Sequence, residues 1–179
     1  MDWSEVLEFW FEEIPSKKWW VKDQTFDDEI SKRFLKTHQR AIACELYRWR
    51  DTAKGRLAEI IVLDQFSRNI YRDTPKAFLY DSLALCLAQS AIQTGDDKKL
   101  SAKMLSFLYM PFMHSESATI HEVALQLFSQ SEVQGNLEFE KKHKVIIDRF
   151  GRYPHRNNIL GRESTPEEEE FLKGPNSSF

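Results

Sequence analysis

The sequence predicts an all-α protein of about seven to nine helices joined by short loops, and three observations carry that prediction. Apolar residues recur at helical spacing along nearly the whole chain. No segment sustains the period-2 alternation of a half-buried strand. Only six glycines and six prolines interrupt the pattern. A length of 179 residues corresponds to one domain spanning residues 1–179, long enough to bury a core.

The first helix carries Trp3, Val6, Leu7, Trp10 and Ile14 on one stripe, and Asp2 with Glu5 gives it a capping box. Thr25 is the expected cap of the second, which turns Phe26, Ile30 and Phe34 inward. Trp19 and Trp20 lie in the connector, where they either staple these two helices or cover a pocket. Leu57, Ile60, Ile61 and Phe66 mark a third helix. Thr74–Pro75 is a cap-then-proline start for a fourth that Gly95 stops. A fifth spans Ser101 to Met110, ahead of Pro111. Ser115 or Ser117 opens the next, through Val123, Leu125 and Phe128. Asn136 caps a helix bearing Phe139, Ile146, Ile147 and Phe150, which Gly151 closes. Thr165, Pro166 and Glu168 form a capping box for the last helix, which Gly174 ends before a short tail over 175–179.

Composition excludes several function classes. A net charge of −3 gives no general attraction to nucleic acid, and no nucleic-acid-binding motif is present. No apolar run approaches the roughly 18 residues of a membrane span. The N-terminal apolar stretch holds Glu5, Glu8 and Glu12 and is no secretory signal. Two distant cysteines, Cys44 and Cys86, build no disulfide framework. A cytoplasmic location is therefore expected. Phosphate loops, dinucleotide fingerprints and nucleophile elbows are absent, and the sequence leaves the cofactor, if any, unnamed.

Polar residues on apolar faces supply the site candidates. Asp64 lies on the stripe of Leu57, Ile60 and Ile61, Arg68 follows one turn on, and Gln65 is spaced to pair with Asn69. Asp81 shares a face with Phe78 and Leu85 and needs a cation, which the arginines of 149–162 can supply. Such pairs either lock helices together or line a pocket. His114 and Glu116 sit at a helix break, with His121 beyond; their spacing matches no helical metalloprotease motif, and no metal is assigned. His143 shares a face with Phe139, Ile146 and Ile147 and reads as a core histidine or a ligand contact. The segment from Phe150 to Glu168 concentrates Arg152, His155, Arg156, Asn157 and Arg162, cationic and amide donors suited to an anion. His155, His143 and His114 are the acid–base candidates, with Asp64 or Asp81 as orienting carboxylate. Its Thr165–Glu168 end is ordinary helix-starting chemistry.

The motifs VLEFWFEE, WWVKDQTFDDEI, GRLAEIIVLDQFSRNIYRDTPKAF, YMPFMHSE and FGRYPHRNNILGRESTPEE together resemble a bacterial family known as domain of unknown function 924. The resemblance runs over almost the whole chain. It implies antiparallel helix pairs stacked in a right-handed, tetratricopeptide-like array, and no established activity, substrate or cofactor. Its motif positions fall on Asp64, Gln65, Arg68, Asn69, Phe78, Asp81, His114, Ser115, Glu116, His143, Arg149, Arg152, His155, Arg156, Asn157 and Arg162. Two departures are His121, where the family pattern has glutamine, and Ser67, where it has proline. The first is expected to alter ligand preference if that position belongs to a site, and the second only to relax a helix. Three functions follow: a site for a small, anionic molecule, a groove for an acidic peptide, or a polar cluster that only locks the helices.

Overall fold

The computed structural model describes residues 2–175, 177 and 178. Its helices are α1 (Trp3–Glu8), α2 (Gln24–Ile42), α3 (Ala53–Ile61), α4 (Ser67–Ile70), α5 (Asp81–Gln93), α6 (Ala102–Met113), α7 (Ala118–Phe128), α8 (Leu137–Phe150) and α9 (Pro166–Leu172). A π-turn over Val62–Phe66 fuses α3 and α4 into one rod, which leaves eight helices and no strand among the described residues. Among them no helix is long and apolar enough to cross a membrane. The tail expected over 175–179 falls partly outside the described residues.

The fused α3–α4 rod is central. It packs α1 and α5 along its first half and α2 along its second, while α5, α6, α7 and α8 follow as successive neighbours. Aromatic side chains fill the seam: Phe34 lies 4.9 Å from Phe9 and 4.8 Å from Phe66, ring centre to ring centre. Such tilted ring pairs contribute about 0.5–1.5 kcal/mol each beyond their burial. A smaller apolar cluster of Ile146, Ile147 and Tyr153, flanked by Phe150 and Phe171, seats the last segment on α8.

Caps explain most helix starts. Both capping boxes form, at Asp2 and at Thr165. The cap of α2 is Asp23 rather than Thr25. Asp23 has the extended backbone of a cap and accepts from Phe26 N at 3.2 Å, whereas Thr25 already lies inside the first turn. Thr52 caps α3 through Gly55 N at 3.0 Å. Thr74–Pro75 starts only the 3₁₀ turn Pro75–Ala77, and α5 begins later, at Asp81. That start puts a carboxylate in the first turn of α5, where the helix dipole favours it and Arg68 meets it. Here tertiary pairing overrides a good local signal. Pro111 also fails to stop α6, which continues to Met113; one backbone bond is lost, and His114 N resumes the ladder on Met110 O at 3.0 Å.

The π-turn accounts for Ser67. Ser67 closes that π-turn, a break in the regular α ladder where a proline is better tolerated than in an unbroken helix interior. Ser67 does more than relax the helix. Its hydroxyl is fully buried, donates to Leu63 O at 2.6 Å and accepts from His38 Nε2 at 2.8 Å.

Candidate functional site

A cavity of about 910 Å³ opens between the α4 end of the central rod, the α6–α7 corner, α8 and the 153–159 segment. Trp19, Trp20 and Phe139 border it, Met110 and Met113 form an apolar wall, and Arg68, His114 and Arg156 supply charged and polar walls. Trp19 does staple the first helices, stacking on Trp10 and donating Nε1 to Trp10 O at 3.0 Å. Trp20, 62% exposed, takes the covering role.

The polar network is built outward from Asp64, which is buried on the rod behind the cavity wall. Its Oδ1 lies 2.7 Å from His114 Nδ1, and its Oδ2 accepts from Gln65 Nε2 at 2.5 Å. Arg68 donates Nη1 to Asp64 O at 2.6 Å and grips both oxygens of Asp81 at 2.9 and 3.0 Å. Arg156 approaches the same Asp81 at 3.3 Å and donates Nη2 to His114 O at 3.1 Å. Its guanidinium is held between the Phe78 ring at 4.5 Å and the Tyr153 ring at 4.7 Å. Asp64, Arg68, Asp81, His114, His143, His155 and Arg156 thus fall in one region, with Asp64 and Asp81 as its shared carboxylates.

Protonation follows from this geometry. Burial alone would raise the Asp64 carboxyl, but the His114 ring and the Arg68 guanidinium hold it well below the usual carboxylate range. Burial and the positive charge of Arg68 push His114 below the usual histidine value. The ring is therefore neutral, and because ionised Asp64 can only accept, Nδ1 carries the proton. Nε2 is left with its lone pair, and among the described residues it meets no hydrogen-bond partner. Burial also lowers His155 to about 4, helped by Arg156, and His143 to about 3 in spite of its bond to Phe139 O. Both line the cavity as neutral rings.

Of the remaining candidates Asn69 also lines the large cavity, while Glu116, Arg152, Asn157 and Arg162 lie outside it and hold the last segment in place. Arg162 grips Glu116 at 2.6 and 2.9 Å, and Glu116 accepts from Tyr153 N at 2.7 Å. Arg152 grips Glu168 at 2.7 Å through both nitrogens and donates to Glu163 O. Asn157, 1% exposed, donates to Ser164 at 3.0 Å and to Glu168 at 3.3 Å. Arg149 is a surface partner of Glu167. Glu168 therefore does more than start α9: the Arg152 hydrogen bonds lower its carboxyl to about 2. The expected Gln65–Asn69 pair does not form, because each amide is drawn to its own carboxylate, Asp64 or Asp27. His121 is fully buried, with Nδ1 2.7 Å from Glu140 and Nε2 2.8 Å from Ser115 O; it braces the α7–α8 contact rather than joining His114. A role in ligand preference is thus replaced by one in packing.

Asp27 and Arg72 were not among the sequence candidates. Asp27, 4% exposed, receives Asn69 at 2.8 Å and Arg72 Nη2 at 2.7 Å, and both donors border the cavity. The available signal was an acid beside Phe26 on the inward face of α2, but in a first helical turn it reads as a dipole complement.

The fold defines an all-helical protein, here with a deep cavity whose wall carries a buried chain of acids, arginines and imidazoles. The chain belongs to the family described as bacterial protein of unknown function (DUF924), whose model matches residues 6–176. It is similar to the solved structure of a protein of unknown function from Agrobacterium tumefaciens, 37% identical, with a TM-score of 0.89 over 96% of this chain and 97% of that one. No curated protein matches the sequence.

Proposed function

We propose that the large cavity binds a small anionic molecule with an apolar or aromatic body, and that His114 acts on it as a general base positioned by Asp64. The observation that carries this reading is the Asp64–His114 contact of 2.7 Å on the wall of a cavity of about 910 Å³. A carboxylate that holds one ring nitrogen in the protonated tautomer leaves the other as a base and stabilises the imidazolium formed when it takes a proton. Arg68 and Arg156 provide donors for a carboxylate or phosphate, and Trp19, Trp20 and Met110 a surface for an apolar body. An acidic peptide is a poorer fit, because Arg152 and Arg162 do not line this cavity and add no donors to those of Arg68 and Arg156. The exposed free thiols of Cys44 and Cys86 suit a reducing, cytoplasmic setting.

Thermal-shift titration with 3-phenylpropionate and phenyl phosphate tests the binding. Either probe at 100 times its Kd should stabilise the protein by about 2.7 kcal/mol. It should also protect His114 from acylation by diethyl pyrocarbonate. No shift with either probe, or a shift unchanged by Arg68→Met, refutes the reading.

A further inference from the structure

Two side-chain amides on the cavity wall are turned the same way by two different acids. Gln65 Nε2 donates to Asp64 Oδ2 at 2.5 Å and approaches Met110 Sδ at 3.4 Å, while Asn69 Nδ2 donates to Asp27 Oδ1 at 2.8 Å. Each NH₂ group is thereby committed to a carboxylate, an acceptor that cannot take the place of the amide oxygen. Flipping either amide would set its oxygen against a carboxylate oxygen, so the orientation is fixed by charge. What remains are two carbonyl oxygens, Gln65 Oε1 and Asn69 Oδ1, neither hydrogen-bonded to any described residue. Both residues line the cavity, and being four apart on one rod they share a face.

An ionised fatty acid has no donor to offer two acceptors. We infer that the ligand carries an N–H donor next to its anionic group: it is an α-amido acid, of the N-acyl amino acid class. This rests on the anionic-ligand reading above and deepens it. The carboxylate would meet the arginine side of the cavity, the amide N–H would face the Gln65–Asn69 acceptors, and the side chain would lie on the tryptophan and methionine wall. Gln65 and Asn69 are then specificity-determining residues. Asp64 and Asp27 are positioning residues that act through them.

Two probes isolate the N–H: N-acetyl-phenylalanine, and O-acetyl-phenyllactate, the ester in which oxygen replaces that N–H. Calorimetric titration of the full chain should show the amide binding roughly tenfold or more tighter, the usual penalty for leaving a polar site unpaired. In Gln65→Met and Asn69→Leu, each checked for folding by circular dichroism, the ratio should fall toward one. Equal affinity for the two probes in the unmodified protein overturns the acceptor pair and leaves the anion site standing. Binding of neither probe, with 3-phenylpropionate also failing, removes the anion site itself. The comparison in the unmodified protein decides the matter even if a variant does not fold.

Discussion

Asp64 and His114 lie 50 residues apart in sequence and 2.7 Å apart in the fold, and the contact fixes which nitrogen of the ring bears the proton. Replacing Asp64 by Asn should reverse this. With Gln65 still donating to one side of residue 64, the new carboxamide turns its oxygen to Gln65 and its NH₂ to His114 Nδ1, against the pull of Arg68 on that side. The ring then carries its proton on Nε2 and loses its base. Long-range ¹H–¹⁵N correlation spectra report the tautomer directly. A variant whose ring keeps its proton on Nδ1 would show that Asp64 does not set it.

Acid should destabilise the protein early. His38, His143 and His155 are pushed to about 4, 3 and 4 by burial, against an unfolded value near 6.5. A depressed folded value means the unfolded chain binds protons first. The stabilising contribution is therefore complete above pH 6.5 and drains away as pH falls toward the folded values. Each ring contributes a slope of up to about 1.4 kcal/mol per pH unit. Urea unfolding at pH 7.5 and pH 5.5 measures it, and equal midpoints would contradict the burial of these rings.

Gly55 is required by a close approach. A Cβ built there would stand 2.0 Å from Trp49 O, a backbone atom that cannot rotate away. Gly55→Ala should cost about 3 kcal/mol, toward the upper end of overpacking changes. The expected drop in Tm is roughly 6–12 °C at this chain length. A variant as stable as the parent would mean that the Trp49–Thr52 turn yields freely.

Stability and binding should separate between the two arginine groups. Arg152→Met strands Glu168 and should lower the unfolding midpoint while leaving affinity for an anionic probe unchanged in the folded fraction. Arg68→Met should weaken that affinity at least tenfold. Paired calorimetry and denaturation distinguish these outcomes. Equal loss of affinity in both variants would mean that the two arginine groups form one site.

Much of this was legible in the sequence. Helical periodicity marked the rods, and Asp64, Arg68, Asp81 and His143 stood out as polar groups on apolar stripes. The direction of an irregular segment was not legible. Arg152 and Arg156 are four residues apart and equally basic, yet Arg152 turns to Glu168 and Arg156 to Asp81, because Tyr153 between them is anchored into the α6–α7 corner. Double use was hidden as well. Glu168 satisfies a capping box and an arginine together, and only the first of these has a local signature. Helix ends misled where long-range pairing or a tolerated proline prevailed, as at Asp81 and Pro111.

Tyr153 spends every polar atom it has. Its N–H goes to Glu116, its carbonyl receives Arg162, and its hydroxyl donates to Met113 O at 2.5 Å. The N–H and hydroxyl contacts close chain loops of 37 and 40 residues. The segment is seated on the small satellite cluster of Ile146, Ile147 and Tyr153 rather than in the main core, and a stretch with so little apolar packing opens more readily than the core does. In native-state hydrogen exchange, the Tyr153 amide should open at lower free energy than the amides of Ile60 and Ile61, so that the protein passes through a folded but open-sided form. Simultaneous exchange of these amides would make wall and core a single cooperative unit.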